Sequence, residues 1–129
     1  MTIQVKMQRQ KEHRPMMANK ALEILPAGSY VVETQRTRGG KDLRTGENTR
    51  PYRFGEFDIL AVSLHPSTND WKSFRYAVAR WLIPMPKKKS LILKFQPVAP
   101  EPNEVWTDDL QTCIGWLRSG IKKTIYSMK

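Results

Sequence analysis

Apolar positions along this chain gather into short runs of strand length, separated by clusters of Gly, Pro and charge. Tyr30-Val31-Val32 is β-branched and aromatic, ends in Glu33, and gives way to Gly39-Gly40, so it predicts a strand that stops before the glycines. Phe57-Asp58-Ile59-Leu60-Ala61-Val62-Ser63-Leu64 is almost continuously apolar, the pattern of a central strand covered on both faces. Before them, Pro15 suits a first helical turn, and residues 16–25 carry helix formers with an apolar side until Pro26 and Gly28 stop it. Its Met16-Met17 pair reads as core packing.

Residues 71–84 are ambiguous in period. Phe74, Tyr76, Val78 and Leu82 approach alternation, whereas Trp71, Phe74, Val78 and Trp81 fit one helical face. The aromatic content and the Pro84-Met85-Pro86 stop favour a strand. Lys87-Lys88-Lys89 is a basic turn, residues 91–95 predict another strand, and Pro97, Pro100 and Pro102 make a stiff connector. The closing helix is capped by Thr107 or Asp108, has Asp109 at the positive end of its dipole and Leu110, Ile114 and Leu117 on one side, and ends at Arg118 and Gly120. These elements predict an α+β fold: a small mixed sheet of about four strands with an N-terminal and a C-terminal helix. A single domain is expected over residues 15–120, with a basic flexible arm at 1–14 and a basic tail at 121–129.

The 129 residues, 40% hydrophobic and 26% charged, fit one globular domain. Charge changes the picture. Twenty-two Lys and Arg against 12 Asp and Glu leave a net charge of +10, which favours a polyanionic partner, nucleic acid before any acidic membrane or protein surface. No apolar run is long enough to cross a bilayer and none resembles a signal peptide, so the expected location is cytoplasmic, with no membrane partner. The one cysteine, Cys113, sits on the amphipathic stretch of the last helix and reads as a small core residue, not a nucleophile. With His13 and His65 far apart, the usual ligand types for zinc are missing.

Candidate chemistry gathers after the first strand. Glu33 is a carboxylate at a strand end, followed by a long Gly-containing loop over residues 36–53 that carries Arg36, Arg38, Lys41, Arg44, Arg50 and Arg53. Flexible backbone with guanidinium forks suits a clamp on phosphates, while the plain alternative is a solvated, mobile loop. Asp58, entering an apolar strand, needs a partner, either a metal or neighbouring backbone N–H groups.

The order helix, Glu-bearing strand, basic loop, apolar strand, further strands and closing helix resembles a PD-(D/E)XK nuclease-like domain over residues 16–98. Glu33-Thr34-Gln35 is similar to the second motif of that superfamily, with Gln35 where its lysine stands, and residues 52–62 resemble the segment that follows. The resemblance implies a restriction-endonuclease-like sheet and, in a catalytic member, Mg²⁺ held by Glu33 and Asp58, with Glu23 a further candidate and Gln35 or Lys41 near the scissile phosphate. The motif is incomplete. No strand precedes Glu33 to carry the first aspartate, and aligning Gly55-Glu56-Phe57-Asp58 there leaves residues 74–83 without the second acid. The expected function is therefore nucleic-acid binding on a degenerate nuclease-like scaffold, DNA before RNA. The alternatives are a Mg²⁺-dependent DNA endonuclease using Glu33, Gln35 and Asp58, or a small regulator within a larger nucleic-acid-processing complex, docking through aromatics such as Trp71, Trp81 and Trp106.

Overall fold

The computed structural model describes residues 1–36, 40, 43–44 and 50–125. β5 (Ile59–Ser63) is the strand the rest is built on, and every one of its residues is buried. The covered strand expected there forms because both its faces meet apolar neighbours. β1 (Ile3–Met7) lies parallel to it, with Ile3 opposite Ile59 and Met7 opposite Ser63. β6 (Phe74–Val78) runs antiparallel on the other side, Ile59 opposite Val78. In the ambiguous stretch the alternating reading is the one realised, and a 3₁₀ turn, Ala79–Trp81, follows it.

β1 corrects the expectation of a flexible arm over residues 1–14. Its composition is polar, yet Ile3, Val5 and Met7 alternate with Gln4, Lys6 and Gln8, and period two is enough for a strand. The alternation is set the unusual way round: Gln8 is only 2% exposed, whereas Val5 and Met7 are 57% and 44% exposed. β1 is followed by a tight hairpin of β2 (Gln10–Lys11) and β3 (Arg14–Pro15). Glu12 and His13 between them both have positive φ, 52° and 64°, as a two-residue hairpin loop requires.

A second ribbon pairs β4 (Tyr30–Glu33) with β7 (Phe95–Val98), antiparallel, Glu33 opposite Phe95. β7 begins where the strand expected at 91–95 ends. It includes Pro97, opposite Val31, instead of leaving that proline in the connector; a missing N–H is tolerated on the edge of a two-stranded ribbon. The widest sheet among the described residues thus has three strands, beside two ribbons of two, in an α+β arrangement. The ribbon joins the sheet by an Arg9 N–H bond to the Val31 carbonyl (2.8 Å), and its own ladder continues one step further in the Thr34 N–H bond to Lys94 O (2.8 Å).

Fully buried Gln96 completes this core with its side chain. Its Oε1 accepts from Ile83 N–H and its Nε2 donates to Ile83 O and Leu93 O, all at 2.9 Å, so one amide satisfies three backbone groups that no strand reaches. Arg75, also buried, donates to Ala99 O (3.2 Å), Phe74 O (2.9 Å) and Pro100 O, pinning the Pro-rich connector to β6.

The expected N-terminal helix is short. α1 spans Ala18–Ala21, preceded by Met17 with no side-chain cap and ended by Leu22 in an extended conformation, φ −145° and ψ 127°. A turn follows, closed by Leu25 N–H to Leu22 O (3.0 Å), and Leu25 enters the core; burial of that leucine overrides helix propensity through residues 22–25. After β5, α2 (His65–Thr68) is one turn ending at Asn69 with φ 55°. α3 (Leu110–Ser119) packs on β6 and β5, and its cap is Asp109, whose carboxylate accepts from Thr112 N–H (3.2 Å) and Thr112 Oγ1 (2.7 Å). Gly120, φ 74°, closes it. The tail expected to fray is held as far as residue 125: Trp81 Nε1 donates to Ile121 O (2.9 Å), Lys123 lies over Trp81 and Trp116, and Ile125 is buried. Residues 126–129 lie outside the described residues.

Candidate nucleic-acid interface

The segment after β4 returns on itself. Arg36 N–H donates to Arg50 O (2.9 Å) and Arg50 Nε donates to Arg36 O (3.2 Å), which closes the mouth of the loop between them. The Arg36 guanidinium is committed there: it pairs with Glu56, donates to Pro51 O (3.1 Å) and lies 4.6 Å from the Tyr52 ring centroid. Tyr52 in turn meets Phe57 edge to face at 5.2 Å, so the mouth is anchored on the core. Of the expected phosphate contacts, Arg36 is thus placed as a fastening of the loop. Arg44 and Arg53 are exposed and Arg50 is half-buried, while Arg38 and Lys41 lie outside the described residues.

Arg53 to Glu56 form a tight turn, with Glu56 Oε1 accepting from Arg53 N–H (3.0 Å) and Gly55 at φ 96°. The positive φ is the reason for a glycine at that position. Past this turn the structure makes a juxtaposition that the linear order conceals. Arg53 bridges to Leu91, Phe54 N–H donates to Ser90 O (3.0 Å), and Ile92 N–H donates to Tyr52 O (2.8 Å). The Lys87-Lys88-Lys89 turn, closed by Leu91 N–H to Lys88 O (3.0 Å), is thereby laid beside Arg53. Lys87 and Lys89 are exposed. Among the described residues Glu56 is the acid at this turn, and Arg36 holds its carboxylate.

The three residues expected at a catalytic centre are placed separately. Glu33 pairs with Arg9, whose guanidinium also covers the Phe95 ring at 5.5 Å. Gln35 is half-buried, and its carbonyl accepts from Lys6 Nζ (3.1 Å). Asp58 accepts from the backbone N–H of Thr2 (2.8 Å), the backbone-capping alternative foreseen for it, and ties the start of β1 to the start of β5. The partner of Asp58 precedes the first residue of β1, and the partner of Glu33 follows its last. Each carboxylate is thus engaged by a different partner, Asp58 by a backbone amide and Glu33 by a guanidinium. Among the described residues no group of three His, Cys, Asp or Glu could hold a metal ion. Glu23 is exposed on the turn after α1.

Cys113 is fully buried, and burial pushes its thiol up to about 12, where it is neither acid nor nucleophile at neutral pH. Of the tryptophans offered as docking groups, Trp81 and Trp106 belong to the core and Trp71 alone is exposed. No helix among the described residues is long and apolar enough to cross a membrane. No family model, no curated protein and no solved structure matches this chain.

Proposed function

We propose that this protein binds nucleic acid through a phosphate-contacting surface formed by Arg50, Arg53 and the exposed Lys87 and Lys89, with DNA before RNA as the partner. The observation that carries this reading is the bridging of Arg53 to Leu91, which sets a lysine turn beside the arginine-rich loop in a chain of net charge +10. Clustered Lys and Arg neutralise successive phosphates and release condensed counterions, the main source of sequence-independent affinity. Arg36 contributes by holding the loop mouth shut against Glu56 and Tyr52. Arg38, Lys41 and Arg44 stay in the proposal as phosphate contacts on the strength of their charge in the sequence.

The restriction-endonuclease-like scaffold forms part of the proposal as a degenerate version. Its support is the engagement of both acids elsewhere, Glu33 with Arg9 and Asp58 with the Thr2 amide, where a cutting enzyme would direct them at Mg²⁺. A role as one subunit of a larger nucleic-acid-processing complex fits the same surface.

The test is the salt dependence of binding to a DNA duplex. Replacing Arg53, Lys87 and Lys89 with Ala is expected to weaken binding and to flatten the plot of log affinity against log salt by roughly one per lost phosphate contact. An unchanged slope, or a wild-type protein that ignores nucleic acid at low ionic strength, overturns the reading.

A further inference from the structure

Among the described residues Trp71 is the large aromatic that the fold leaves exposed. It is 64% exposed, and its ring stacks on His65 with centroids 3.6 Å apart and planes 11° from parallel. One face is therefore occupied and the other is open. The ring is also held in position. Asn69 ends α2 in the left-handed region, Asp70 N–H donates to Thr68 Oγ1 (3.2 Å), Asp70 Oδ1 accepts from Lys72 N–H (2.9 Å), and Ser73 N–H closes the turn onto Asp70 O (3.2 Å). A tryptophan fixed on a turn of this kind loses little freedom when something stacks on it.

Its surroundings point to the chemistry of that partner. α2, which supplies His65, packs against β3, the second strand of the tight hairpin. That hairpin carries the exposed, paired Lys11 and Arg14, and exposed Lys72 follows Trp71 directly. The acids there are Glu12 at the hairpin tip and Asp70, whose carboxylate is occupied by the Lys72 amide. An open indole face next in sequence to Lys72, on a turn whose helix packs against a basic hairpin, matches a planar base joined to phosphates.

We propose that Trp71 is a stacking platform for an unpaired nucleobase, with Arg14 and Lys72 meeting the phosphates on either side of it. This rests on the nucleic-acid reading above and adds a preference for single-stranded or locally opened segments. Duplex bases are already stacked and offer the ring no free face, so the Trp71 surface and the Arg53 surface distinguish two forms of the polymer.

The experiment titrates the full chain with oligo(dT) and with a duplex of equal length, reading tryptophan emission and the anisotropy of a labelled strand. Oligo(dT) is expected to quench the wild-type emission. Trp71→Ala is expected to abolish most of the quench and to lower oligo(dT) affinity about tenfold, the size of one stacked base, with duplex affinity unchanged. Trp71→Phe is expected to recover part of the loss. Equal oligo(dT) affinity in Trp71→Ala and wild type overturns the platform. Binding of duplex but not oligo(dT) by wild type also overturns it while leaving the basic surface standing, and binding of neither overturns both.

Discussion

Two buried glutamines in this protein have opposite standing. Gln96 gives all its bonding capacity to Ile83 and Leu93 and so takes the place of a neighbouring strand. Gln8 is as deeply buried, yet neither its Nε2 nor its Oε1 has a partner among the described residues. A buried polar group without a partner costs free energy, and its loss to an apolar group of like size relieves that cost. Gln96→Leu is expected to destabilise the protein by about 2 kcal/mol, because it leaves the buried Ile83 N–H without its acceptor while the Ile83 carbonyl keeps only the Leu93 N–H. Gln8→Met is expected to be neutral or stabilising by about 1 kcal/mol. Urea unfolding of both variants checks the pair, and equal effects would refute the contrast. Neither role was legible in the sequence, where both residues are ordinary polar positions flanking apolar runs.

At the scale of elements, the strands and the helix with strong local periodicity formed where their patterns placed them. β4, β5 and α3 follow from runs of β-branched residues and from Leu110, Ile114 and Leu117 at helical spacing. The elements that departed were decided by distant neighbours: β1 exists because β5 offers it an edge, and the helix stops at Leu22 for a turn that delivers Leu25 to the core. The proposed interface was half legible for the same reason. The arginine loop is a local pattern, whereas its junction with Lys87 to Lys89 depends on the Arg53 to Leu91 bridge across the fold. α3 carries a prediction of its own. Hydrogen bonds from the Thr112 side chain first, then from its backbone N–H, hold the Asp109 carboxyl below its ordinary value. A depressed carboxyl stabilises the fold above its unfolded value, and that contribution is lost as pH falls through the folded one. The stability gap between wild type and Asp109→Ala is therefore expected to be full at neutral pH and to close in acid below the ordinary carboxylate range. Urea midpoints across that range measure it, and a gap that widens in acid would refute the capping role.

Across the whole molecule, the two proposed contact surfaces stand on different supports. The Arg53 surface is fastened by the loop mouth at Arg36 and Arg50, and the Trp71 surface by α2 against the β2–β3 hairpin. β1 connects the two halves of this frame, since Asp58 and Thr2 join at its start and Arg9 reaches Val31 just past its end. Removal of residues 1–8 is therefore expected to abolish cooperative thermal unfolding and near-ultraviolet dichroism, not merely to trim an appendage. A truncated chain that still melts in one sharp transition would show that β5, β6 and the ribbon close without it.

The Asp58 bond to Thr2 spans 56 positions of chain, and the parallel pairing of β1 with β5 has the same reach. At a synthesis rate of about 5–20 residues per second, the first strand emerges roughly 3–10 s before the strand it must lie against. Through that interval the ladder groups of β1 have no native partner, and an unpaired strand edge is a template for pairing with other chains.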